Sequence, residues 1–207
     1  MDIKKIANVI LGARIPAVRG VELSKLGGEM VGRVTFSGFI DKDSTVDLFY
    51  TTDYESEKVV FTILCGSFGS INDEGMLSPL VMVCMLDAQS EVSFGQFKWD
   101  FGAKLVSING ALPILGFDEP RKEYILWSVC SLIKLYHLGL LKISWQSEVR
   151  PAISAGLFTE EQAYKQFRKW RLDIDKLITV GGIVWDCEDI AIKNTKNHSS
   201  PNRINFG

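Results

Sequence analysis

The segment MVGRVTFSGFIDKDSTVDLFY, residues 30–50, holds two β-branched and aromatic runs separated by Asp41-Lys42-Asp43-Ser44. If that polar interval reverses the chain, the runs pair as an antiparallel hairpin. If it opens a cleft at the end of a parallel strand, the same aspartates become candidates for chemistry. Asp, Ser and Lys are the residues a tight reversal uses, because short polar side chains bond their own backbone and tolerate turn geometry. The hairpin is therefore expected.

The same language continues to residue 117. TVDLFYTT, EKVVFTILCG, SPLVMVCML, EVSFGQFKWDF and AKLVSINGALPIL read as strands, with DYES, SFGSINDEG, DAQS and FG as turns. Alternation is clearest in EVSFGQFKWDF, where Phe97, Trp99 and Phe101 share one face and Gln96, Lys98 and Asp100 the other. With no helix of ten or more residues expected among these strands, an antiparallel meander or sandwich follows rather than a doubly wound parallel sheet.

On either side the period changes. Ile3, Ile6, Ala7 and Ile10 recur at helical spacing and Gly12 closes the run, which predicts a short N-terminal helix. Residues 13–29, with one proline and three glycines, read as an arm or long loop. YILWSVCSLIKLYHLGLL, residues 124–141, is a helix with a thin polar stripe at Ser128, Ser131, Lys134 and His137. It must be covered on most sides, by the sheet and a second layer or by another copy. Trp127, Ile133 and Tyr136 are its candidate interface residues, and Gly139 is expected to loosen or end it. Lys134 and His137 count against a membrane span, and no transmembrane segment is expected. Thr159-Glu160-Glu161-Gln162 is a capping box opening a helix whose apolar face is Tyr164, Phe167, Trp170, Ile174, Leu177 and Ile178. Gly181-Gly182 stops it, IVWDCEDIAI follows as a final strand, and the polar tail from Lys193 is expected to be loose.

The fold expected is thus α+β. An antiparallel core at about 30–117 is followed by main helices at about 121–138 and 160–179, with a short N-terminal helix and a final strand at about 183–192. The domain division is an N-terminal helix and arm (1–29), one α+β domain (30–192) and a polar tail (193–207). At 207 residues and 46% hydrophobic, the chain can bury a core without disulfides or metals. Cys65, Cys84 and Cys130 lie in apolar runs, and with Cys187 they form no paired spacing, which fits a reducing, cytoplasmic setting. IANVILGA, interrupted by Asn8, makes a poor signal peptide.

The net charge of −2 hides a segregation: +3 over residues 1–38, −9 over 39–120 and +4 over 121–207. Such asymmetry bears on partners and self-association.

Among motifs, the hydrophobic run ending in Asp41-x-Asp43-x-Thr45 resembles the first motif of haloacid-dehalogenase-type phosphatases. The resemblance implies a parallel α/β sheet, Asp41 as nucleophile, Asp43 as acid/base and a bound Mg²⁺, with Lys176 and the pair Asp186 and Asp189 as later partners. Only His137 and His198 are histidines, so no metal-binding or Ser-His-Asp set can be drawn, and no phosphate-binding or dinucleotide glycine motif is present. Gly66-Ser67-Phe68-Gly69 lacks the basic surroundings of a nucleic-acid clamp and reads as a loop.

Lys165, Arg168, Lys169 and Lys176 share one helix face and are the candidate anion-binding residues, for acidic lipid or nucleic acid. In outline, a β core followed by helices is similar to viral matrix proteins, and the apolar run ending at Asp87 in VMVCMLDAQ resembles the strand-then-Asp signature of plant-virus movement proteins. Both imply a virus-encoded structural role.

The function expected is a non-enzymatic intracellular interaction or assembly protein without a cofactor, a homo-oligomer contacting an anionic partner. The alternatives are the Mg²⁺-dependent phosphatase and a binder of apolar small molecules held between the sheet and the 121–138 helix.

Overall fold

The computed structural model describes residues 3–38, 44–66, 68, 77–100, 102–113 and 122–185. Six antiparallel strands form one sheet in the order β1-β2-β3-β4-β6-β5: β1 Val18–Leu26, β2 Glu29–Ser37, β3 Thr45–Asp53, β4 Lys58–Leu64, β5 Gln96–Asp100 and β6 Leu105–Pro113. The helices are α1 Ile3–Ala13, α2 Pro79–Gln89, α3 Lys122–Ser144, α4 Arg150–Ser154 and α5 Glu160–Leu177, with a π turn at Trp145–Val149 before α4. A two-strand ladder, β7 Thr179–Val180 and β8 Ile183–Val184, follows α5. The α+β, antiparallel expectation therefore holds, as a four-strand meander extended by the β6-β5 pair in a single sheet.

β2 and β3 are antiparallel neighbours with Ser37 opposite Thr45, and the Gly38 N–H donates to the Ser44 carbonyl at 2.8 Å. Every ladder among the described residues is antiparallel. A parallel α/β sheet, which the phosphatase resemblance implied, does not occur among them.

Alternate residues of each strand face the helices. Val34, Phe36, Leu48, Tyr50, Val59, Phe61, Ile63 and Ile108 are buried there, while Arg33, Phe49, Thr62 and Asn109 lie half-exposed on the other side. α3 lies at the centre of the helical layer, in contact with α1, α2, α5 and β6. The core is continuous from Ile3 in α1 to Ile178 after α5. The phase of α1 is as expected, with Ile3, Ile6, Ala7 and Ile10 all buried.

Three expectations are corrected. Residues 13–29 are not an arm: β1 pairs with β2 through a reversal at Gly27-Gly28, both at positive φ, which side chains with a Cβ disfavour. The Ala17 N–H also donates to the Leu177 carbonyl at 2.9 Å, tying this segment to the end of α5. SPLVMVCML is not a strand but opens α2, so one helix of 11 residues does interrupt the strands and carries the chain past the slot filled by β6. A run apolar on every side has no phase to separate helix from strand; Pro79 at the first helical position was the usable signal. The strand-then-Asp resemblance of VMVCMLDAQ loses its basis with that strand.

Nor does Gly139 end α3, which runs on to Ser144. Its glycine serves close packing, because a Cβ there would lie 2.5 Å from the Phe68 ring and 3.0 Å from Phe97. Of the expected final strand, only Ile183–Val184 is a described strand, and residues beyond 185 lie outside the description.

Two outcomes follow. Helix propensity alone makes Gly139→Ala stabilising by about 1 kcal/mol; the collision with Phe68 reverses the sign, and a net loss of about 2 kcal/mol in urea unfolding is expected. Thr159 and Gln162 form the reciprocal capping box, at 3.2 and 3.1 Å, so Thr159→Ala should cost about 1 kcal/mol in the same measurement.

Candidate functional site

α3 cannot continue as a regular helix past Ser144. Pro151 has no N–H to offer the carbonyl four residues back, and its ring would strike that carbonyl. The chain re-registers through the π turn, in which the Arg150 N–H reaches the Trp145 carbonyl. This places Trp145 against two rings of α5, at 5.3 Å from Tyr164 and 4.9 Å from Phe167.

Beside these rings, α2, α3 and α5 enclose a cleft of about 330 Å³. An ion-pair network crosses it. The Lys142 ammonium bonds Asp87 and, at 2.6 Å, Glu91; Arg171 bonds the other oxygen of Glu91. Each cation is thus bonded to a carboxylate inside the network.

Cys84 also lines the cleft. Its thiol donates to the Lys142 backbone carbonyl at 3.5 Å, and burial, then the charge of Asp87, push its pKa up, so it stays a thiol rather than a thiolate. No group of three or more His, Cys, Asp or Glu able to hold a metal occurs among the described residues. The cleft's cations are therefore paired and its thiol is protonated.

The residues singled out from the sequence fall in separate places. Asp41, Asp43, Asp186, Asp189 and His198 lie outside the described residues. Ile133 and Tyr136 are buried inside the chain, and Trp127 is half-buried against Phe94 at 4.8 Å, so these three face the chain's own core. By length and composition alone, the helical stretch Lys122–Ser154 could cross a membrane, but 83% of its most apolar window is covered within the fold. The space between α3 and the sheet, where the alternative reading put an apolar ligand, holds the core residues Leu132, Ile133, Phe61 and Ile108.

Lys165, Arg168, Lys169 and Lys176 do come together on the side of α5 away from the core. Lys176 is bonded to Asp173 at 2.8 Å, while the other three have no acidic partner among the described residues. Leu172 projects among them with 61% of its surface exposed.

What sequence reasoning missed is the outer side of α2. Beyond its buried Val81, Cys84, Met85 and Ala88, it leaves Leu80, Met82, Val83 and Leu86 exposed. The absence of any polar face in Pro79–Leu86 was the available signal.

The polar stripe of α3 is wholly internal. Lys134 meets Asp175 of α5 at 3.2 Å, and His137 is enclosed by Phe36 at 5.7 Å and Tyr136 at 5.5 Å. Burial pushes the His137 pKa down to about 3. The unfolded chain takes up that proton near its ordinary value of about 6.5, and the fold does not, so stability must fall as pH drops through that window. Urea midpoints measured from pH 7.5 to 5 should decline, and His137→Leu should flatten the dependence by about 1.4 kcal/mol per pH unit below pH 6.5. The chain matches no protein-family model, no curated protein and no solved structure.

Proposed function

We propose that the chain is a non-enzymatic interaction protein that self-associates and meets an anionic lipid surface through the outer side of α5. The observation that carries this reading is the trio Lys165, Arg168 and Lys169, exposed and without acidic partners among the described residues, around the exposed Leu172. The side is convex, as the outward surface of a helix must be, and suits a broad charged surface more than a small ion. An apolar side chain among cations fits the boundary between headgroups and acyl chains. It offers a phosphodiester backbone nothing, and Tyr164, the exposed ring one turn before Arg168, is engaged with Trp145 at 5.3 Å instead of standing free for base stacking.

Magnitude supplies the self-association. Each cation near an anionic bilayer contributes about 1 kcal/mol, so three give about 3 kcal/mol, weaker than millimolar. Two linked copies reach about 6 kcal/mol, or tens of micromolar, before any contribution from Leu172. One copy alone barely binds.

Co-sedimentation with phosphatidylserine-containing vesicles tests the reading. The wild type is expected in the pellet at low salt and in the supernatant with neutral phosphatidylcholine or at about 0.5 M salt, where charges are screened within a few ångströms. Lys165→Ala/Arg168→Ala/Lys169→Ala should abolish sedimentation. Equal binding to neutral vesicles, a triple variant that binds like wild type, or retention by duplex DNA but not by vesicles would each defeat the proposal.

A further inference from the structure

We infer that the groove between the α4–α5 reversal and the first half of α5 binds a fatty acid in its carboxylate form, the chain inside and the carboxylate at Lys165 and Lys169. The site shares these two cations with the membrane contact but does not rest on it. The groove has a volume of about 610 Å³, inside the roughly 300–1,000 Å³ of small-molecule sites. Val149, Leu157, Phe158, Ala163 and Trp170 line it, with Gln162 and Gln166 as its polar walls.

Two helix ends leave this space open. α4 closes with the Gly156 N–H donating to the Ile153 carbonyl and the Leu157 N–H to the Ala152 carbonyl, both at 2.9 Å, with Gly156 at positive φ. Such an end ordinarily packs the residue after the glycine against the one that accepts its N–H, which here is only an alanine. α5 opens with the same shortfall. Phe158 precedes the cap Thr159, and the fourth helical position, which a bulky apolar side chain ordinarily fills to meet it, is Ala163. Ala152 and Ala163 are too small to cover these neighbours, so Leu157 and Phe158 stay 72% and 53% exposed. The backbone bonds at Gly156 and Leu157 and the capping box at Thr159 hold both as walls of a formed groove.

The rim decides the chemistry of the occupant. Lys165 stands three residues after Gln162 and Lys169 three after Gln166, the spacing of neighbours on a helix surface, and neither has an acidic partner among the described residues. Asp173, one turn past Lys169, is held by Lys176 at 2.8 Å. An apolar groove edged by ammonium groups complements an amphiphile with one negative end. Arg168 falls farther round the helix, and a guanidinium fork is the group that recognises phosphate bidentately; single ammonium charges suit a carboxylate. The wall from Gln162 to Trp170 runs about 12 Å, just over two helical turns, along which one chain can lie.

Isothermal titration of the full chain with decanoate tests the site. Binding is expected, tightening about fourfold for each added methylene, so that dodecanoate binds about fifteenfold more tightly than decanoate. Decylammonium, with the same chain and the opposite charge, should bind about tenfold more weakly or worse, and Lys165→Ala/Lys169→Ala should weaken decanoate by about tenfold. Gln166→Trp sets a bulky ring on the exposed wall of the groove and should abolish binding without changing the far-UV circular dichroism. No decanoate binding, equal affinity for decylammonium, or a Gln166→Trp variant that binds like wild type overturns the site. A wild type that sediments with phosphatidylserine vesicles yet ignores decanoate loses the groove and keeps the membrane contact; one that binds decanoate and no vesicle does the reverse.

Discussion

The cover required by α3 organises the molecule. From Ile125 to Leu141 it is buried almost without interruption, and no single layer can surround a helix of that kind. The sheet takes one side through Phe36, Phe61 and Ile108, and α1, α2 and α5 take the others. This explains why the N-terminal segment is structural and not detachable. α1 contributes Ile3, Ile6 and Ile10 to the core, and β1 extends the sheet that supports it. Even the polar groups of α3 are held inside, Lys134 by Asp175 and His137 within an aromatic enclosure. A helix so enclosed fixes its neighbours by shape, since close-packed interiors tolerate little displacement.

What the covering elements do with their other sides then decides the surface. α5 resolves the matter in the usual way, with Ala163 and Ile174 inward and cations outward. α2 does not: its outward side is nearly as apolar as its inward one. The π turn forced by Pro151 joins these two regions, because it brings Trp145 beside Tyr164 and Phe167, next to Val83 of α2. The apolar surface of α2 therefore continues into the aromatic cleft.

Legibility followed the strength of each local signal. The capping box at Thr159 was readable to the residue because two side chains and two N–H groups specify it together. The hairpin pairing of residues 30–37 with 45–50 was readable from residue types and polar spacing. α2 was not, since a uniformly apolar run supplies no period, and the eye defaults to the strands around it. β1 was lost for another reason: Gly20, Gly27 and Gly28 look like loop, yet Val21 and Leu23 alternate with Glu22 and Ser24 beside β2. Of the candidate site, the basic side of α5 was visible as a spacing of cations, but the bond between Asp173 and Lys176 was not, and it reduces four charges to three. The interface assigned to Ile133 and Tyr136 failed because sequence shows that a helix needs cover without showing which chain supplies it.

The case for contact over catalysis turns on what the charges are already doing. A catalytic cleft keeps a base or nucleophile uncommitted and shifts its pKa toward the working pH. In the cleft between α2, α3 and α5 the shift runs the other way: burial and Asp87 hold the Cys84 thiol protonated, and Lys142 and Arg171 are each bonded to a carboxylate. Such a network fixes the angle between α2 and α5. On the proposed reading that angle matters, since linked copies gain avidity only when geometry lets their α5 sides engage together. The ion pairs from Asp87 and Glu91 to Lys142 and Arg171 then serve to hold one surface at a set orientation to the other.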